Sequence, residues 1–179
     1  MTVPPTFRFC PQCASELAWI ELPEDSGPTT RLRCPKCDFT HWNNPTPVLA
    51  AVVECVDREG QVLLARNAAW PGPFFGLITG FMEAGESPEE GIRREVLEET
   101  SLEALGATLI GVYDFQKKNQ VIIAYHVPAR GEIRLSPELA EYSLTPPERL
   151  ECWPAGTGQA LADWLRGQGL EPRWMAPRG

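Results

Sequence analysis

Apolar positions run along this chain in several distinct rhythms, and each rhythm predicts a different element. From Val48 to Val56 the run is continuous apart from Glu54, and from Gln61 to Ala65 it resumes. Asp57-Arg-Glu-Gly60 between them has turn chemistry, so the pair reads as a hairpin of partly buried strands. Leu77-Ile78-Thr79 reads as a short strand. Ala107 to Phe115 and Gln120 to Val127 alternate as two more strands joined near Lys117-Lys118-Asn119, with Tyr113, Phe115 and Tyr125 at odd positions across the pair. Gly131 to Leu135 predicts another short strand, Leu139 to Tyr142 a short acidic segment, Thr145-Pro-Pro147 a break, and Leu150 to Trp153 a last strand. Between Thr157 and Arg166 the rhythm changes to the helical period. Ala160, Leu161, Trp164 and Leu165 share one face of a closing helix that Gly167 ends. The tail of residues 171–179 reads as loose.

One more helix is predicted, and its polar side is the informative one. Ser87 is a good N-cap, Pro88 suits the first helical position, and Glu90 completes a capping box. Ile92, Val96 and Leu102 leave one side to pack inward. Glu95, Glu98 and Glu99 stand at i, i+3 and i+4, which places three carboxylates on one helix face. Gly80 to Leu102 holds seven acidic residues and two adjacent arginines. Most charge runs are solvated helix faces. Against that, three like charges destabilise a helix unless a cation neutralises them, and hard divalent ions such as Mg2+ or Mn2+ prefer carboxylate oxygens. The preceding loop, with Gly80 and Gly85 around Phe81 and Met82, can turn backbone groups toward a metal or a phosphate.

Upstream, Cys10-Pro-Gln-Cys13 and Cys34-Pro-Lys-Cys37 form two Cys-x2-Cys knuckles with 20 residues between them. This spacing fits a four-cysteine zinc ribbon with a closed, structural site. Two disulfides or a redox pair are the alternatives. His41 follows closely, but four thiolates already fill the site, so it takes an ordinary polar role. Cys55 and Cys152 read as core residues. Asn43-Asn44-Pro45-Thr46-Pro47 marks the boundary: residues 1–44 form the ribbon and residues 45–170 the main domain.

At fixed offsets, Gly80, Glu86, Arg94, Glu95, Val96, Glu98, Glu99 and Leu102 reproduce Gly-x5-Glu-x7-Arg-Glu-apolar-x-Glu-Glu-x-Gly-apolar. The stretch resembles the Nudix box, with Ser101 where the family has glycine. With the knuckles and the proline linker, the chain resembles bacterial zinc-ribbon Nudix hydrolases and relatives acting on FAD, ADP-ribose or NADH. The resemblance implies an α/β/α sandwich around a mixed sheet. It implies metal-dependent hydrolysis of a nucleoside diphosphate linked to another moiety. Glu95, Glu98 and Glu99, with Gly80, are then expected to hold Mg2+ or Mn2+. One of the three, or an acid of the Glu138 to Glu141 segment, is expected to deprotonate the water. Arg94 is expected to orient a neighbouring carboxylate, and Glu86 to support the loop or an outer metal. The NADH-cleaving branch carries a Ser-Gln-Pro-Trp-Pro-Phe-Pro-x-Ser run after the box. Gly111-Val-Tyr-Asp-Phe-Gln-Lys-Lys-Asn119 stands there instead, which turns the expectation toward FAD or ADP-ribose.

The aromatics of Trp70-Pro-Gly-Pro-Phe-Phe-Gly76 pad the core by default. A nucleotide base or flavin also needs a stacking platform, for which Phe75, Tyr113 and Phe115 are the candidates, with Trp70 and Phe74 beside them. Composition narrows the partners. The chain of 179 residues is 43% hydrophobic, with a formal charge of -8 and a pI near 4.8. Acidity argues against a general nucleic-acid binder, because phosphate backbones are gripped by clustered Lys and Arg. A small dinucleotide arriving with metal ions is still compatible. No apolar run is long enough to span a membrane and no N-terminal signal is evident, so the sequence reads as cytoplasmic. A non-catalytic nucleotide sensor is the competing reading. It would lack box carboxylates, and all are present. The ribbon reads as a packing element or a homodimer contact.

Overall fold

The computed structural model describes residues 7–176, which fall in two compact units meeting at Asn44 and Pro45. In the first unit β1 (Ala18–Glu24) and β2 (Gly27–Arg33) form an antiparallel hairpin, joined by β3 (Thr40–His41) against β2. Arg31 grips the Glu24 carboxylate with two hydrogen bonds of 2.8 Å across the hairpin. The interior is small: Cys10, Leu17, Leu32 and Cys34 are buried, with Cys37 and Phe39 packed against them.

The second unit is built on β4 (Thr46–Cys55), the centre of a seven-stranded mixed sheet among the described residues. It pairs antiparallel with β5 (Gln61–Asn67), as the apolar runs predict. It also pairs antiparallel with β6 (Ile78–Phe81), which places Leu49 opposite Gly80. Next comes α1 (Pro88–Thr100), then β7 (Glu103–Ala104), β8 (Thr108–Phe115) and β9 (Gln120–Arg130). Strand β9 runs parallel to β4 over ten residue pairs and antiparallel to β8. Last come β10 (Leu139–Thr145), β11 (Glu151–Cys152), α2 (Gly158–Gly167) and β12 (Arg173–Trp174).

Both faces of the sheet are covered, which is why β4 is apolar without alternation. Leu49, Ala51 and Val53 face α1, where Ile92 and Val96 are fully buried. Burying side chains of that size contributes about 1.5–3 kcal/mol each. Val52 packs with Leu161 and Leu165 of α2 on the opposite face, and Ala50 with Ala160. Cys55 and Cys152 lie in the two cores, as expected. No helix among the described residues is long and apolar enough to cross a membrane.

Three expectations change. Residues 131–135 form no strand. Arg134 and Ser136 donate their backbone N–H groups to the carbonyls of Thr100 and Glu99, so this segment is a loop pinned to the end of α1. Leu139 to Tyr142 is the start of β10, paired with β5. Tyr113 and Phe115 lie on one face of the sheet and Tyr125 on the other. The register pairs Tyr113 with Ile122 and Phe115 with Gln120, and it shifts between Leu109 and Gly111 so that Tyr125 stands opposite Leu109. The expected loose tail is tied down in its described part. Strand β12 pairs parallel with β11, and the Met175 N–H donates to the Cys152 carbonyl at 2.8 Å.

Ser101 ends α1 in the left-handed region, with φ 61° and ψ 13°. A Cβ there costs about 1 kcal/mol, which glycine would avoid. The Ser101 hydroxyl donates to the Arg134 carbonyl at 3.2 Å, an interaction of similar size. Ser101→Gly is therefore expected to change stability by less than about 1 kcal/mol, whereas Ser101→Ala, which keeps the strain and loses the bond, is expected to cost about 1 kcal/mol. Denaturant melts of the two variants would check this. A large gain from glycine would mean that the hydroxyl contributes nothing.

Candidate active site

The box helix starts as its sequence dictates. The Glu90 N–H donates to the Ser87 hydroxyl at 3.3 Å, and the Ser87 N–H donates to the Glu90 carboxylate at 2.8 Å. The loop before it is held by Glu86, which accepts from the Glu83 N–H at 2.7 Å. Glu86 also accepts a forked pair of bonds from Arg94 at 3.0 and 2.9 Å. The other Arg94 nitrogen reaches Glu95 at 2.8 Å and Glu98 at 3.1 Å. One guanidinium thus joins the loop carboxylate to two helix carboxylates, the orienting role that bidentate geometry favours. It holds Glu86 well below the usual carboxylate range.

Gly80 makes the close approach possible. A side chain on Gly80 would run into the Glu95 carboxyl, so glycine lets the helix carboxylate lie directly on β6. Loop 131–138, fixed to the end of α1, brings Glu138 to the same place, with the Ala68 N–H donating to its carbonyl at 2.8 Å. Glu141 does not join it: Arg66 pairs with it at 2.6 Å. The result is a cleft of about 470 Å3 with Gly80, Arg94, Glu95, Glu98, Glu99 and Glu138 in its walls.

Glu99 is only 7% exposed, and its Oε2 has no hydrogen-bond partner among the described residues. Burial pushes its carboxyl up to about 7, reinforced by the negative charges of Glu95, Glu138 and Glu98. Burial also raises Glu95, partly offset by Arg94. The three box carboxylates lie toward the C-terminal half of α1, where the helix dipole opposes negative charge, and its last turn holds no basic residue. A buried, orphaned carboxylate among like charges fits a divalent cation. Without such a cation, folding favours protonated Glu99. That contribution is complete below its ordinary value of 4.5 and lost as pH rises through about 7. Between pH 5 and 8 the metal-free protein is expected to lose on the order of 2 kcal/mol relative to Glu99→Gln. Mg2+ is expected to reverse the loss. Parallel denaturation curves of the two proteins across this range would contradict it.

An apolar cleft of about 270 Å3 adjoins the acidic one, and Val48, Thr79, Lys118 and Gln120 stand in the walls of both. Backbone bonds between Ala65 and Gly76, 2.9 Å each way, close the loop that carries its aromatics. Trp70 leans on Phe74 with ring centres 5.8 Å apart, and Phe74 meets Trp153 edge-on at 5.2 Å. Phe115 lines this cleft. Phe75 and Tyr113 do not. Phe75 packs into the core beneath α2, and the Tyr113 hydroxyl donates to Asp163 at 2.8 Å. Trp153, Lys118 and Gln120 were not singled out by sequence. A Lys-Lys-Asn turn and a tryptophan at a strand end carry no local signal of a shared cleft.

In the ribbon the Sγ atoms of Cys10, Cys13, Cys34 and Cys37 all lie within 4.8 Å of one another. The Gln12 and Lys36 N–H groups donate to Cys10 and Cys34 sulfur, each at 3.4 Å. Such N–H bonds favour thiolates, and four converging sulfurs fit one tetrahedral metal ion. His41 is no part of this cluster; its ring lies 5.0 Å from Phe7.

Comparison with known proteins agrees with this geometry. Residues 45–166 match the NUDIX domain family. NAD-capped RNA hydrolase NudC of Vibrio cholerae is 27% identical over 97% of this chain and 54% of its own length. The Pseudomonas entomophila protein of the same name is 27% identical over 75% of this chain and 46% of its own. The chain thus spans about half the length of the curated relatives it matches. Among solved structures, a NUDIX hydrolase from Nitrosomonas europaea superposes with a TM-score of 0.74 at 25% identity, over 94% of this chain and 97% of that one. An ADP-ribose pyrophosphatase from Streptococcus suis shares the fold at TM-score 0.53 and 19% identity, over 74% of this chain and all of its own. With its mixed sheet between two helices and its box intact, this chain belongs to the Nudix hydrolase family.

Proposed function

We propose that this protein cleaves the pyrophosphate bond of a nucleoside diphosphate linked to a second group, with FAD or ADP-ribose as the substrates and AMP as one product. The observation that carries the reading is the junction of two clefts. One is acidic, with the buried, unpartnered Glu99, and the other is walled by Trp70, Phe74, Phe115 and Trp153. A substrate with a flat ring and a diphosphate matches that division. Ring stacking contributes on the order of 1 kcal/mol per contact.

Glu95, Glu98 and Glu99, with the Gly80 backbone, would hold Mg2+ or Mn2+. When bound, the metal supplies charge neutralisation at the phosphates. Arg94 holds Glu95 and Glu98 in position while Glu86 anchors it. A carboxylate among Glu95, Glu98, Glu99 and Glu138 takes the proton of the attacking water. A water oxygen adds to one phosphorus, the bridging P–O bond breaks, and two phosphate monoesters leave. The four cysteines would hold a structural Zn2+, with no open position for chemistry.

A second reading, hydrolysis of NADH or of NAD-type RNA ends, is favoured by the names of the Pseudomonas and Vibrio relatives. Against it stands Gly111 to Asn119 in place of the Ser-Gln-Pro-Trp-type run. Specificity constants for FAD, ADP-ribose, NADH, NAD-capped RNA, diadenosine polyphosphates and nucleoside triphosphates, each with Mg2+ and Mn2+, separate the two. FAD or ADP-ribose is expected to lead. NADH or capped RNA far ahead of both would move the assignment to the second reading.

A further inference from the structure

We infer that Lys118 grips a phosphate of the bound substrate at the junction of the two clefts and sets its direction, ring in the aromatic half and diphosphate in the acidic half. The inference deepens the reading above and rests on it. Lys118 ends the helical turn Gln116–Lys118 between β8 and β9, and it stands in the walls of both clefts. The acidic half holds Glu83, Glu95, Glu98, Glu99 and Glu138, yet among the ion pairs of the described residues none joins a carboxylate to Lys118. The other cation there, Arg94, is already committed to Glu86, Glu95 and Glu98. Lys118 is instead held over the Phe115 ring, its Nζ 6.0 Å from the ring centre. That contact keeps the ammonium at the rim of the aromatic half without neutralising it.

Charge balance gives this placement its meaning. A diphosphate entering a cleft of glutamates meets repulsion wherever metal does not reach. The phosphate next to the ring crosses the shared wall, where Val48 and Thr79 are uncharged and Lys118 and Gln120 offer donors. A lysine ammonium suits this task, as a compact point charge with three donors. Lys118 therefore recognises a phosphate monoester attached to a ring-bearing group. The bare ring, held by the aromatics alone, does not need it.

The test compares ligands with and without the phosphate. Titration calorimetry with Mg2+ present would measure AMP against adenosine and FMN against riboflavin, none of which has a pyrophosphate to be cleaved. Lys118→Gln is expected to weaken AMP or FMN binding by roughly tenfold and to leave adenosine and riboflavin unchanged. Lys118→Arg, which keeps the charge, is expected to restore most of the loss. Equal losses for nucleoside and nucleotide, or no loss for the nucleotide, would overturn the assignment. If the unmodified protein binds all four ligands and Lys118→Gln binds them identically, Lys118 alone is misassigned. If the unmodified protein binds none of them, the aromatic cleft is no ring site, and the substrate class falls together with the role of Lys118.

Discussion

Glu98→Gln and Glu99→Gln are each expected to lower pyrophosphate hydrolysis by roughly a hundredfold or more, with Glu95→Gln as severe if that residue takes the proton. The amide keeps the shape and removes the charge. At Glu99 the change abolishes a buried negative group with no partner of its own, 7% exposed and pushed up to about 7. Its loss weakens metal binding and the stabilisation of developing phosphate charge together. At Glu98 the Arg94 bond at 3.1 Å can still form to an amide oxygen, so the fold should survive. The Glu99 variant should be more stable than the parent protein without metal, because a buried like-charge contact disappears. A stable, inactive Glu99→Gln therefore separates a functional role from a structural one. Full turnover in either variant at ordinary metal concentrations would place the chemistry elsewhere.

The second large effect concerns the ribbon. Adding a chelator, or replacing any of Cys10, Cys13, Cys34 and Cys37 with serine, is expected to unfold the first unit if the four cysteines hold the proposed metal. Among the described residues its apolar interior amounts to Leu17, Leu32 and part of Phe39 around the cysteines themselves. A module this small cannot offset its conformational entropy with so little burial, so a metal held by the four cysteines would supply the folding energy. The sheet of the second unit has separate cores on both faces and should persist. Metal analysis should find one zinc per chain. Amide exchange should show protection lost over residues 18–41 and retained in β4 and β9. A zinc-free protein with four reactive thiols and a protected ribbon would contradict this.

The gathering of the box carboxylates in one cleft and of the four cysteines in one cluster was legible in the sequence because it is local. The box carboxylates sit at i, i+3 and i+4, the capping box spans four residues, and each knuckle spans four. Those spacings fix geometry without any knowledge of the fold. The β4–β5 hairpin was legible for the same reason, its turn residues lying between two apolar runs. What escaped depends on pairing between distant segments. Alternation along β8 and β9 gives two faces to each strand but not which face of one matches which of the other. The observed register puts Tyr113 with Ile122, away from Tyr125. Residues 131–135 read as a strand because Ile133 and Leu135 alternate with polar residues. Its backbone donors are instead spent on the end of α1, a choice set by tertiary contact. The aromatic cleft draws on Trp70, Phe115 and Trp153, far apart in sequence and joined only by the sheet. Phe75 and Phe74, adjacent in sequence, part ways there for the same reason.

The decisive measurement is a crystal structure with Mg2+ and the uncleavable α,β-methylene analogue of ADP-ribose. Ions are expected between the diphosphate and Glu95, Glu98 and Glu99, with one ring among Trp70, Phe74 and Trp153. An analogue bound away from these carboxylates, or ions bound elsewhere with Glu99 still unpartnered, would contradict this.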